Sequence, residues 1–535
     1  MAQHQNRPGR SRRSFLRDVG LTGGAGAMFA TMGALGLAPT AEAAQRETPF
    51  RALRASDFTL TGRAAAKVVI LGGGIAGLAS AYELGKAGYD CTILEARDRT
   101  GGRNFTARGG DTTTDLYGNT QTARFSDGQY MNCGPARIPQ WMVTLDYCRE
   151  LGVPIEVFTN VNADAYIYNE KTGMTKPERY RTAKADVYGY VSELLAKATD
   201  KGALDADLTA TDQDRLVAFL KDWGELDDSL GYAGGERRGY STVPAAAGTP
   251  GVLLGDVPAV SEVFASGVGL YFSFEFGFDQ AMLMFQPVGG MDRIPHALTR
   301  AVGAHRIHTG ALVTKVTDKG DGVSVIYTQG GRTKAVEADY VIAAMPPNLL
   351  SKIPHNLGSG VQSALEAITP SSAAKIGLEY RSRWWELDHN IYGGITETDQ
   401  DVTHIWHPSY GFHGERGVLI GYYNYDDDAD AYAALTPKQR EQRAVAAGVK
   451  IYGDKYRTEL ASSFSHHWRQ TPHLEAAWHD TPGGPDDVRY KPLNDPTGRV
   501  YFAGDWLSYA DAWQHGAFTS ARKAVTALHA RVLSS

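Results

Sequence analysis

The stretch from Lys67 to Arg103, KVVILGGGIAGLASAYELGKAGYDCTILEARDRTGGR, limits what this chain can fold into more than any other. Val68 to Leu71 is a short aliphatic run stopped by glycines, the pattern of a buried parallel strand entering a tight turn. Gly72, Gly74 and Gly77 follow as G-x-G-x-x-G, with Ile75 and Ala76 between the last two, and Leu78 to Ala87 continue with helical spacing. Such glycines permit a sharp turn, close approach of backbone to a pyrophosphate and tight helix-on-strand packing. The helix N-terminus then turns free N–H groups toward phosphate charge. A second strand, Asp90 to Leu94, ends at Glu95, eighteen residues past Gly77, where a carboxylate can accept hydrogen bonds from ribose hydroxyls. The expectation is a doubly wound, dinucleotide-binding α/β domain within a chain that is α+β overall.

The continuation narrows the dinucleotide. Ala96 and Arg97, then Gly101, Gly102 and Arg103, directly follow the ribose acid, and this resembles the second cofactor motif of the flavin amine oxidase superfamily. The resemblance implies FAD, with Arg103 at a cofactor phosphate. From about Ala64 to the end, the chain is similar to L-amino-acid oxidases of that superfamily.

Composition agrees with an ordinary globular protein of two or three domains: 535 residues, 43% hydrophobic and 21% charged. Net charge is −6, and because residues 1–43 hold five Arg against Asp18 and Glu42, the remainder stands at −9. An acidic body without a basic stripe argues against nucleic acid as a partner. Ser11-Arg12-Arg13-Ser14-Phe15-Leu16-Arg17 matches a twin-arginine export signal, with a small-residue site at Ala41-Glu42-Ala43. Six glycines between Val19 and Leu37 make that run a poor spanning helix, and no later stretch reads as a stable membrane span. The expected location is therefore secreted or periplasmic. Three cysteines exclude a disulfide framework and leave one bridge, Cys133 to Cys148, open.

The organisation read from the chain is a signal at 1–43 and an FAD-binding domain from 64–106, 280–350 and 490–535. A substrate domain from 107–165 and 351–489 and a helical domain at 166–279 complete it. The sequence leaves a homodimer open.

The remaining site residues come from the resemblance. Gly134-Pro135-Ala136-Arg137-Ile138-Pro139 resembles the family segment beside the flavin, whose arginine clamps the substrate α-carboxylate. A planar guanidinium suits that task because it meets a carboxylate through two parallel hydrogen bonds. Gly417 to Tyr422 resembles the strand whose terminal tyrosine shares the carboxylate, which implies that role for Tyr422. Lys375 looks like the family lysine that holds a water near flavin N5. Val288 to Asp292 resembles the turn entering a cofactor-domain helix, and Val313 corresponds to a residue at the adenine. Asp505 matches the acid of the last cofactor signature. Ala512, Trp513, Gln514, His515 and Ala517 match the segment over the isoalloxazine, with Trp513 also toward substrate. His515 departs from the carboxylate that relatives often carry there, no histidine base occurs between Phe272 and Phe285, and no metal-ligand spacing occurs. Phe274, Phe276, Trp406 and Trp506 suggest an apolar or aromatic pocket.

The implied reaction is oxidation of an L-α-amino acid by FAD and dioxygen to a 2-oxo acid, ammonia and hydrogen peroxide. An amine or polyamine oxidase, an amino-acid 2-monooxygenase and a flavin-binding protein without turnover stay open as alternatives.

Overall fold

The computed structural model describes residues 51–534, so the twin-arginine segment lies outside the described residues. The strand Lys67–Leu71 is the centre of a five-stranded parallel sheet. The order across it is Ile307–His308, Asp90–Leu94, Lys67–Leu71, Tyr340–Ala343, Val500–Phe502, with Val68 facing Cys91 on one side and Tyr340 on the other. Alternate residues of the central strand serve two cores, as a pleat with side chains on opposite faces requires. Val68 and Ile70 pack with Leu78 and Leu84 of the helix Ile75–Lys86, with Ile294 and Leu298 of Arg293–Val302, and with Phe518 and Val525 of Gln514–Leu533. Val69 and Leu71 pack on the other face against Val316, Val323 and Val325 of a three-stranded antiparallel layer, Leu312–Asp318, Val323–Gln329 and Arg332–Ala338. Full burial of each such aliphatic side chain contributes about 1.5–3 kcal/mol.

The chain order reverses direction across the sheet between Lys67–Leu71 and Tyr340–Ala343. In open parallel sheets that switch point, at the carboxyl ends of the strands, opens a crevice for a ligand.

A second, seven-stranded sheet runs in the order Leu460–His467, Ala373–Tyr380, Gly417–Tyr425, His404–His407, Gly394–Thr398, Tyr166–Tyr168, Glu178–Arg179. Its pairs are antiparallel except Gly394–Thr398 with Tyr166–Tyr168. One irregularity matters below: Gly377 pairs with Ile420 but Ile376 pairs with Tyr422, leaving Gly421 as the extra residue of a β-bulge. Ile155–Thr159 and Leu283–Pro287 form a separate antiparallel pair, and Phe285 also bridges to Ile138 beside Arg137.

The stretch read as helical from residue 166 begins with two strands of the seven-stranded sheet, and the helix Tyr180–Asp200 starts only after them. Residues 188–233 belong to a compact unit distinct from the rest. There the helix Ala210–Trp223 is capped by the Thr209 hydroxyl, which accepts from the Asp212 N–H, and Tyr188 stacks on Trp223 with centroids 4.6 Å apart. Among the described residues, no helix is long and apolar enough to cross a membrane. All three cysteines are free and buried, so the Cys133–Cys148 bridge is not formed.

Candidate active site

A long cleft opens at the switch point, between the turn after Leu71 and the Ala344-Met345-Pro346 segment after the neighbouring strand. Two glycines make the turn. Gly72 has φ +105, and a Cβ there would lie 2.7 Å from the Ala344 carbonyl oxygen. At Gly77 a Cβ would lie 2.0 Å from the Gly72 oxygen, so the helix can sit on the turn only without a side chain at that position. Gly74, which precedes the helix, looks into the cleft, and a Cβ on it would meet nothing within 4 Å. No side chain caps this helix, so the first-turn N–H groups beside Ile75 and Ala76 stay open to an anion.

Glu95 and Ala96 form the next part of the wall. The buried Glu95 carboxylate accepts from the Gly73 N–H at 2.6 Å and the Arg97 N–H at 2.8 Å, which fixes its orientation at the cleft edge. Glu95→Gln would turn an amide NH2 toward one of these donors. We expect it to weaken flavin retention by about 1–2 kcal/mol, or about five- to thirtyfold. Flavin released on dialysis measures this, and retention equal to wild type would remove Glu95 from the ribose role.

Val313 flanks this end, and the middle of the cleft holds Gly102, Arg103 and Asp505. The Arg103 guanidinium pairs with Asp505 and donates to the Ala477 carbonyl at 2.9 Å. Burial pushes the Asp505 carboxyl up, but the charge and hydrogen bond of Arg103 outweigh this and hold it below its ordinary range. Its second oxygen accepts from the Ala512 N–H at 3.0 Å, and Ala512 itself has φ +62. Trp513, Gln514 and Ala517 continue the wall into the C-terminal helix. The Gln514 amide nitrogen donates to Asn104, while its buried Oε1 has no partner.

Gly134 and Pro135 form part of the opposite wall with Lys375. Lys375 Nζ donates to the Gly134 carbonyl at 2.5 Å and lies 4.3 Å from the Tyr423 ring centroid and 4.8 Å from that of Trp406. Burial, then repulsion from Arg137, brings its pKa down to about 7 from 10.5. Arg137 shares the Trp406 ring, with Cζ 4.8 Å from the centroid, and donates to Asn160 Oδ1 at 2.6 Å. No carboxylate of the described residues lies within ion-pair distance of it.

Several expected residues stand elsewhere. Tyr422 is fully buried on the other face of its strand, packed on Tyr432 with its hydroxyl 3.0 Å from His467 Nε2, and does not meet Arg137. The bulge at Gly421 is the cause: it advances the alternation by one, so Tyr423 rather than Tyr422 joins Ile420 on the face with Trp406. Tyr423→Phe should therefore raise KM for the substrate, while Tyr422→Phe should leave KM alone and lower stability by about 1 kcal/mol. Steady-state kinetics and denaturant midpoints separate the two, and the reverse pattern would restore Tyr422. Arg97 lines a second cavity instead of the cleft; Ala136 lies in a small core with Phe158 and Met284; His515 accepts from the Val143 N–H at 3.1 Å beside Trp141. Burial brings the His515 pKa down to about 4, so its ring is neutral. Phe274 and Phe276 are exposed, whereas Trp506 lines the cleft and Trp406 lies under Arg137 and Lys375. Tyr423, Asn160 and Trp478 are additions to the expected set; only Gly421 inside a strand pattern signalled the first.

A profile described as flavin containing amine oxidoreductase matches residues 75–529. The chain belongs to this flavin-containing amine oxidoreductase family. Within the family, it is 27% identical over 477 residues to an L-amino-acid oxidase of Demansia vestigiata, covering 86% of each chain. It is also 27% identical to a putative L-amino-acid oxidase of Bacillus subtilis, over 85% of this chain and 92% of the other. Cyclohexylamine oxidase from Brevibacterium oxydans shares the fold, with a TM-score of 0.59 at 19% identity over 88% of this chain and 100% of that one. For a flavin-containing oxidoreductase, the open helix terminus, the space at Gly74 and the unpartnered Gln514 oxygen fit a dinucleotide cofactor lying along the cleft.

Proposed function

We propose that the protein is an FAD-dependent oxidase of L-α-amino acids, yielding the 2-oxo acid, ammonia and hydrogen peroxide. Arg137 carries this reading. It is a half-buried guanidinium without a carboxylate partner among the described residues, on the same aromatic ring as the lysine of the cleft wall. Such a cation calls for an anionic group on the substrate, which an amine lacks. The first turn after Gly74, Glu95 and Arg103 would hold the cofactor phosphates and ribose, and Gln514 with Trp513 its ring system. FAD, when bound, supplies acceptance of hydride from the substrate Cα and return of the electrons to dioxygen.

The chain's own residues then have distinct tasks. Arg137, steadied by Asn160, fixes the carboxylate through its two parallel N–H groups, and this fixes the direction of the Cα–H bond. Tyr423, whose ring lies beside Lys375 and packs against Trp406 and Tyr425, would donate its O–H to the same carboxylate. Lys375 Nζ, near neutrality at working pH, takes a proton from the substrate ammonium directly or through one water, because only the neutral amine can release hydride. The aromatic walls of Trp406, Tyr423 and Trp478 keep bulk water from these charges. Export by the twin-arginine route belongs to the same reading, resting on Ser11 to Arg17.

Anaerobic mixing of the flavin-loaded protein with the proteinogenic L-amino acids and with their decarboxylated amines tests the proposal. Bleaching by amino acids and not by the amines, followed in air by peroxide and 2-oxo acid, is the expected result. Equal bleaching by amines would make this an amine oxidase, and an amide product a monooxygenase. Absence of bleaching by any of them would leave only flavin binding.

A further inference from the structure

Next to the cofactor cleft, and sharing Ala96 and His473 with its wall, lies a second cavity of opposite character. Its lining is polar, and three arginines are among the residues that line it: Arg97, Arg99 and Arg440. None of the three is within ion-pair distance of a carboxylate of the described residues. Arg99 donates to the carbonyls of Thr100 and Gly102, and Arg440 to those of Tyr432 and Ala433, to Ser465 Oγ and to Gln470 Oε1. Arg97 Nη1 is sealed from solvent and has no acceptor. Neutral acceptors satisfy donors without pairing the charges, and the opposing carboxylates act only at longer range, Glu95 and Asp98 on Arg97 and Arg99 and Asp115 on Arg440.

The acids at the rim do not offset them by contact. Asp98 is exposed, Asp111 accepts from the Arg108 N–H at 2.7 Å, and Asp115 holds the N–H groups of Tyr117 and Asn119 at 2.9 Å within its own turn. His466, stacked edge-on against Phe105, hydrogen-bonds the Thr471 hydroxyl through Nε2 at 3.1 Å; Thr471 donates to the His467 carbonyl, so the ring carries its proton on Nε2. Burial and then the three arginines hold that ring neutral, with its pKa well below the ordinary value.

We propose that this second cavity binds a tetrahedral oxyanion of the phosphate class, held by Arg97 and Arg99 over Arg440. A small tetrahedral anion suits it because converging N–H groups of planar guanidinium ions meet several oxygens at once. Arg97 also gives its backbone N–H to Glu95, so an anion on its side chain would brace the turn that ends the second strand of the cofactor domain. This site is independent of which substrate the cleft oxidises.

Equilibrium dialysis of the flavin-loaded protein against radiolabelled orthophosphate at constant ionic strength is the test. We expect saturable uptake of about one phosphate per chain, displaced by sulfate and not by chloride, with the thermal midpoint rising with phosphate concentration by mass action. Arg99→Gln should weaken uptake about tenfold or more while the flavin spectrum stays unchanged, and Arg99→Lys should lie between. Displacement by glycerol phosphate would mark a site for phosphate monoesters, and failure of that displacement a site for the free oxyanion; both keep the proposal. No uptake, uptake equal in wild type and Arg99→Gln, or displacement by chloride at equal ionic strength would overturn it.

Discussion

Arg137→Met is expected to lower kcat/KM for the best amino acid about a hundred- to several-thousand-fold, because a carboxylate left buried without its cation costs about 3–5 kcal/mol. The arginine is already committed in position: Asn160 takes one N–H at 2.6 Å and the Trp406 ring supports its face, so little ordering remains when substrate arrives. Arg137→Lys keeps the charge but loses the fork, and should fall between wild type and Arg137→Met. Flavin content and spectrum should not change in either variant, since Arg137 is not part of the cleft wall that carries Gly74, Glu95 and Arg103. Turnover of amino acids by Arg137→Met at the wild-type rate would end the carboxylate-clamp reading.

Lys375→Met should reduce kcat about a hundredfold or more, the scale of losing a positioned proton acceptor. In wild type, kcat/KM should climb as pH rises toward about 7 and then level, because Nζ must be free of its proton to take one from substrate. The same lysine leaves a signature in stability. Its pKa is about 7 folded and 10.5 in the free side chain, so between those values the unfolded chain binds more protons and stability rises with pH. The difference in denaturant midpoint between wild type and Lys375→Met should therefore shift in favour of wild type as pH rises from about 7, and level out at about 10.5, once Lys375 is neutral in the unfolded chain too. A pH-independent difference, together with unchanged kcat in Lys375→Met, would reduce the residue to a wall component.

The first strand, turn, helix and second strand were legible in the sequence because their constraints are local. Gly72, Gly74, Gly77 and Glu95 are constrained by one strand, one turn, one helix and the next strand, and a backbone that must approach a phosphate or avoid a neighbouring carbonyl leaves few residue types to choose from. The helix Pro437–Tyr452 is set by equally local signals, with Thr436 capping it and Gly453 ending it at φ +78. The substrate end was legible only in part. Arg137 came from the resemblance of Gly134 to Pro139 to a family segment, and which tyrosine shares its face depended on a single extra residue in a strand pair. No local pattern says whether Gly421 is accommodated as a bulge or in register, and that one step sends Tyr422 into the core and Tyr423 to the face with Trp406. The state of Lys375 was likewise beyond the sequence. Burial first and a second cation next bring this lysine down to about 7, and residues 238 positions apart in the chain, Arg137 and Lys375, meet over one indole ring only after the sheets have closed around them.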